Sequence, residues 1–201
     1  MIAIRGANSK IVEALLGLLP VDELVYRIDR RRPAPFDADR YLFCQGLLSP
    51  KRIVDQDDEA IAESFLVNAG RVIQECDRIF DANDRARICV IGSESGFTGS
   101  FDGAYSASKV ALHRYCETKQ LRTPKQQLVC IAPTIISDAG MTMRRTDHKN
   151  LVERRMEHPK KRWLTVIEVA KVIHFVLYED LGFLSGVVIR MNGGAHAQRG
   201  K

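Results

Sequence analysis

The sequence predicts an α/β fold, a doubly wound parallel sheet of about six strands with helices on both faces. Three observations carry that expectation. The apolar runs, such as Ile88–Ile91 and Leu128–Ala132, are continuous rather than alternating, as in strands buried on both faces. Helical patterns separate these runs, so neighbouring strands run parallel through right-handed crossovers. The opening apolar stretch meets a glycine turn and a helix start in "GANSKIV", which places a ligand crevice at the carboxyl ends of the strands. At 201 residues, 45% hydrophobic and 27% charged, the chain is expected to form a single domain, residues 1–201, with a sizeable core.

The elements follow in order. Met1–Arg5 reads as a strand and Ser9–Leu19 as a helix stopped by Pro20. Leu24–Ile28 is a second strand. Residues 30–40 hold Pro33 and Pro35 with mixed charge and read as a loop, and Tyr41–Cys44 as a short strand. Asp57 or Asp58 caps a long helix reaching about Phe80, with Ile61, Phe65, Ala69, Val72 and Ile73 on its apolar side. After the strand Ile88–Ile91 comes a Gly/Ser-rich loop, residues 92–103, and then a helix from Tyr105 to about Gln120. Leu128–Ala132 is another buried strand. Thr165-Val-Ile-Glu168 is a capping box opening a helix to about Glu179, and Gly186–Met191 is the last strand.

Composition removes several function classes. No apolar run approaches a membrane span, and Glu13 interrupts the only leucine-rich stretch near the start, so neither a membrane protein nor a secretory leader is expected. Cys44, Cys76, Cys89, Cys116 and Cys130 are odd in number and widely spaced, with no C-x-x-C pair. They read as buried thiols of a reducing, cytoplasmic compartment, without zinc or disulfides. The net charge of +5 concentrates at residues 27–32 and 144–162. The second stretch is interleaved with Asp147, Glu153 and Glu157 and carries no aromatic platform, so a solvated face is favoured over nucleic-acid binding.

Chemistry concentrates in "GSESGFTGSFDGAYSASK", residues 92–109. Tyr105 and Lys109 lie four apart on one helix face. A free tyrosine is a poor base at neutral pH, and a nearby ammonium is expected to pull its pKa down towards the working range. Ser93 ends a buried strand, where its hydroxyl can hold a substrate carbonyl oxygen while Tyr105 gives it a proton. The stretch is not a nucleophile elbow, because Glu94 stands where G-x-S-x-G needs serine, so a serine hydrolase is disfavoured. Asn68 falls on the buried stripe of the long helix, where its amide must find partners or cost roughly 1–3 kcal/mol. His113 and His174 read as packing or surface residues, and His148, His158 and His196 lack metal-ligand spacing, so no metal is expected.

These residues resemble the short-chain dehydrogenase/reductase family over nearly the whole chain. The likeness rests on Gly92-Ser93 after its strand, Tyr105-Ser-Ala-Ser-Lys109, "CIAPTIISDAGM" and the closing "TVIEVAKVIHFVLYEDLGFLSGVVIRMNGG". The resemblance implies a Rossmann fold and an NAD(P)-dependent oxidoreductase interconverting a carbonyl and an alcohol. Tyr105 would be the general acid/base and Ser93 the carbonyl-orienting group. Lys109 would lower the tyrosine pKa and bind the nicotinamide ribose, and the Asn68 amide would help hold a water beside Lys109. The gap from serine to tyrosine is about one residue tighter than usual, which leaves Ser95 as an alternative to Ser93.

Cofactor binding would draw on Gly6, Asn8, Ser9, Lys10, Ile11, Asp29, Arg30, Gln45, Gly46, Tyr105, Lys109, Pro133 and Ile135. Gly6 matches the family's first glycine, but Lys10 and Val12 stand at the second and third. Cys44-Gln45-Gly46 replaces Asn-Ala-Gly, and Pro133-Thr134 replaces Pro-Gly. Asp29 suits the ribose hydroxyl of NAD, whereas Lys10 and Arg30 to Arg32 suit the phosphate of NADP, with a slight lean to NADP. Residues 30–40 are too few for the family's next helix and strand, so an edge strand is expected to be missing. The basic segment from Ala139 to Leu164 would lie over the substrate, a small carbonyl or alcohol and an anionic one if the segment closes as a lid. A homodimer or homotetramer is implied as well. The alternative reading is a cofactor-poor relative that binds, senses or scaffolds without turnover.

Overall fold

The computed structural model describes residues 1–29, 33–143 and 147–195. Six strands form one parallel sheet: β1 (Ile2–Arg5), β2 (Val25–Ile28), β3 (Arg40–Phe43), β4 (Arg87–Ile91), β5 (Gln127–Pro133) and β6 (Val187–Met191). Their spatial order is β2-β1-β3-β4-β5-β6. The chain steps from β1 outward to β2, then returns past β1 to β3, so a crevice opens between the carboxyl ends of β1 and β3. Register brings Arg5 beside both Ile28 and Phe43, and Ile91 beside Ile131, aligning those ends along one edge.

Each strand feeds two cores, which explains the continuous apolar runs. Ala3, Tyr41, Phe43, Ile88, Val90, Leu128 and Cys130 pack on one face, while Ile2, Ile4, Leu42, Cys89, Ile91, Val129 and Ile131 pack on the other. The second face is covered by α1 (Lys10–Leu16) through Ile11, Val12 and Leu15, and by α8 (Val166–Tyr178) through Val169, Ala170, Ile173, Val176 and Leu177. The Thr165–Glu168 capping box is present at the start of α8, where Glu168 also pairs with Arg162. The first face is covered by α3 (Arg71–Ala82) and α5 (Gly103–Thr118), with α2 (Asp58–Phe65) packed against α5.

The long helix departs from its expected register. Asp57 caps it, accepting from the Ala60 N–H at 2.7 Å, but a π turn, Leu66–Gly70, joins α2 to α3. The buried stripe is Ser64, Asn68, Val72, Cys76 and Phe80, whereas Phe65 is 39% exposed and Ile61 half-buried. An apolar stripe through Ile61 and Phe65 is therefore incorrect. The inward face at this level is set by two polar side chains that bond each other and a neighbouring loop, and the wider turn accommodates them.

Residues 92–103 are not wholly irregular either: Ser95–Thr98 forms a short helix, α4, ending at Gly99 with φ 79°. The basic segment contains α6 (Gly140–Met143) and α7 (His148–Glu157). Among the described residues β2 is the sheet edge, with no further strand or helix in residues 33–39, in line with the shortened crossover. No described helix is long and apolar enough to cross a membrane. All five cysteines are free thiols.

Candidate active site

The crevice floor begins at Gly6, which follows β1 with φ +81°. A Cβ there would lie 2.6 Å from the Cys44 carbonyl carbon and 2.7 Å from the Gln45 nitrogen. Only glycine satisfies both the left-handed backbone and the close approach of the turn after β3. The Ser9 N–H donates to the Gly6 carbonyl at 3.0 Å, and its hydroxyl caps α1 by accepting from the Ile11 N–H at 3.2 Å. Lys10 is exposed and pairs with Glu13 at 2.7 Å. Val12, where the resemblance expects a glycine, is buried in the core. Asp29 ends the β2 side of the crevice, where its carbonyl accepts from Arg5 at 2.8 Å. Arg30, with Arg31 and Arg32, lies outside the described residues. Gln45 buries its amide oxygen without a partner among the described residues.

The reactive segment spans the ends of β4 and α5. Ser93 leaves β4 with its Oγ accepting from both the Ser95 N–H at 3.2 Å and the Ser95 hydroxyl at 2.8 Å. Its own hydroxyl proton therefore remains to be donated. Tyr105 is buried, and of the two serines it is Ser93 whose side chain acts on its phenol, pulling its pKa down. That geometry separates the two serines: Ser93 faces the tyrosine and Ser95 orients Ser93.

Lys109, a turn further along α5, is 1% exposed, with its Nζ 2.8 Å from the Ile91 carbonyl and 5.7 Å from the Tyr105 ring centre. Burial lowers its pKa to about 8. The expected lowering of the tyrosine is not what this site produces. Burial pushes the Tyr105 phenol up, the Ser93 hydrogen bond pulls it down, and the Asp102 charge pushes it up again. The ammonium is directed to a backbone carbonyl instead, so desolvation dominates.

Asn68 reaches the same crevice from the π turn, its Oδ1 lying 3.7 Å from where a Cβ on Gly46 would stand. Its amide is fully engaged. Oδ1 accepts from the Leu47 N–H at 2.8 Å, and Nδ2 donates to the Leu47 carbonyl at 2.8 Å and to Ser64 Oγ at 3.1 Å. Among the described residues its amide holds the loop after β3. Pro133 and Ile135 follow on β5 and beyond; the Pro133 carbonyl accepts from the Glu94 N–H at 2.9 Å.

Three residues at this site were not assigned a role from sequence. His113 is buried against the turn, its Nε2 accepting from the Ser93 N–H at 3.3 Å. Gly92 and Gly96 leave the room that this ring fills. Asp102 caps α5 at the Tyr105 N–H. Glu94 is buried and pairs with Arg190 and, at 3.0 Å, with Asn192, tying the serine turn to β6. The Asp102 cap was legible, as a D-x-x-Y start to the helix. The Glu94 and His113 contacts join distant segments and leave no local signal.

Comparison with known proteins agrees with this picture. No protein-family model matches the chain. It is similar to the 3-oxoacyl-[acyl-carrier-protein] reductase MabA of Mycobacterium tuberculosis, with 32% identity over 146 residues, 71% of this chain and 58% of that protein. The chain thus spans well under two thirds of that relative. Its fold is that of a short chain dehydrogenase family protein from Francisella tularensis, with TM-score 0.81 and 19% identity over 98% of both chains. An actinorhodin polyketide ketoreductase solved with NADPH has the same fold, with TM-score 0.79 and 16% identity over 98% of this chain and 97% of that one.

Proposed function

This chain belongs to the short-chain dehydrogenase/reductase family, and from that premise we propose that it is an NADP- or NAD-dependent reductase of a small carbonyl compound. One constellation carries the reading: Ser93, Tyr105 and Lys109 converge at the carboxyl end of β4, with a hydroxyl proton to give, a buried phenol and a buried ammonium.

The residues suit a nicotinamide dinucleotide. Lys109 has three N–H donors and spends one on the Ile91 carbonyl, leaving two for a ribose diol. Gln45 adds an unpartnered buried acceptor beside the Gly6 turn. Gly6, Asn8, Ser9, Lys10 and Ile11 would meet the phosphates, Asp29 the adenosine side, and Gly46, Pro133 and Ile135 the nicotinamide side. When bound, the reduced nicotinamide supplies the hydride. Ser93 then holds the carbonyl oxygen by donating its hydroxyl proton, and Tyr105 protonates that oxygen as charge develops on it. A phenol kept protonated by burial suits the acid in this direction. Asn68 keeps the loop after β3 in place beneath the site.

NADPH is favoured because Lys10 lies at the turn and the ketoreductase neighbour was solved with it. The name of the mycobacterial relative supports a 3-oxoacyl thioester as substrate, and α7 offers Lys149, Arg154 and Arg155 to an anionic carrier. Exposed Phe65, Leu66 and Val110 on the α2–α5 side support a homodimer or homotetramer. Five free thiols suit the cytoplasm. A second reading, a binding or scaffold protein, is favoured by Lys10 and Val12 in place of glycines. Calorimetric titration with NADPH and NADH separates the two: saturable binding, tighter for NADPH, is expected, and binding of neither would favour the scaffold.

A further inference from the structure

We propose that Asp102 is a positioning residue for Tyr105, holding the tyrosine by its own backbone and setting the field around its phenol. Asp102 is 2% exposed, yet it is a carboxylate at the first turn of α5. One oxygen accepts from the Tyr105 N–H at 3.0 Å and from the Gln56 side-chain amide at 3.0 Å. The other accepts from the Ser49 N–H at 2.7 Å. A helix cap needs only the first of these bonds. The other two reach the loop after β3, whose near end Asn68 grips at Leu47. Asn68 and Asp102 therefore hold the two sides of one loop, and through it the tyrosine helix is fixed relative to the Gly46 side of the crevice.

The charge has a second effect. Its field reaches the buried phenol and opposes ionisation of Tyr105, in the same direction as burial. The groups around the phenol are few. On α5 there are Lys109, directed at the Ile91 carbonyl, and His113, directed at the Ser93 N–H. The turn after β4 contributes Ser93 and Ser95, and Glu94, which faces Arg190 and Asn192. Asn68 on the π turn and Gln56 on the loop are neutral. Asp102 thus adds its charge to burial in holding the Tyr105 proton, against the Ser93 hydrogen bond, which favours its release.

The catalytic part rests on the proposed reductase reading, so the test has one readout that needs no turnover. Asp102→Asn and Asp102→Ser both keep a capping oxygen for the Tyr105 N–H while removing the charge. NMR titration of tyrosine labelled at the ring carbon bearing oxygen, with Tyr105→Phe to assign the signal, is expected to show Tyr105 ionising at lower pH in both variants. The alkaline limb of kcat/KM for carbonyl reduction should move down by the same interval. A shifted titration with no turnover in wild type would sink the reductase reading and leave Asp102 in its role. An unmoved titration and limb in folded variants, even with a uniform loss of rate, would overturn the inference.

Discussion

Replacing Lys109 by methionine should stabilise the coenzyme-free protein at neutral pH while ending its proposed activity. The ammonium is 1% exposed, and burial lowers its pKa from 10.5 to about 8. At about 1.4 kcal/mol for each tenfold change in proton affinity, the buried charge costs roughly 3 kcal/mol. Methionine fills a similar volume, but it strips the Ile91 carbonyl of its 2.8 Å partner, a loss of about 1–3 kcal/mol. The net gain at pH 7 is about 1 kcal/mol. The pH dependence isolates the charge. Between pH 8 and 10.5 the unfolded chain holds a proton on Lys109 that the folded chain has shed, so wild-type stability rises with pH across that window. The wild type should recover about 2 kcal/mol relative to the variant between pH 7 and pH 9.5. Urea melts of both proteins at the two pH values measure this directly. A stability difference that does not change with pH would refute the claim that Lys109 sits as a strained, desolvated cation.

Other outcomes follow from the same contacts. Tyr105→Phe should lower carbonyl reduction by about a hundred- to ten-thousand-fold while coenzyme affinity by calorimetry stays within a few-fold. Gly6→Ala forces a Cβ to within 2.8 Å of three backbone atoms at φ +81° and should cost about 2–5 kcal/mol, on the order of 10 °C in melting temperature. Thr165→Ala removes the capping box of α8 and should cost about 1 kcal/mol, seen as roughly 2–4 °C in a thermal melt.

Much of this could be read from the chain because its signals are local. Strands buried on both faces declare themselves as unbroken apolar runs, so β4 and β5 are legible to within a residue or two. The Thr165–Glu168 box and the Asp57 cap involve neighbours three residues apart. Tyr105 and Lys109 sit a turn apart on one helix, so their shared face follows from spacing alone. What escaped depends on partners far along the chain. The π turn that rotates Phe65 outward follows Asn68 and Ser64 facing Leu47, a contact across about twenty residues. The upward push on Tyr105 reflects burial and an ammonium directed at Ile91, neither visible in a four-residue spacing. The Glu94–Arg190 pair joins residues nearly a hundred apart.

The central claim is that Ser93, Tyr105 and Lys109 reduce a carbonyl group at the end of β4. Its most direct test is to mix the purified protein with NADPH and a 3-oxoacyl thioester and follow both loss of the reduced-nicotinamide absorbance and appearance of the 3-hydroxyacyl product. The account predicts matched, enzyme-dependent consumption and product, cut by about a hundredfold or more in Tyr105→Phe. Turnover in Tyr105→Phe within a few-fold of wild type, or saturable coenzyme binding with no reduction of any carbonyl offered, would contradict it.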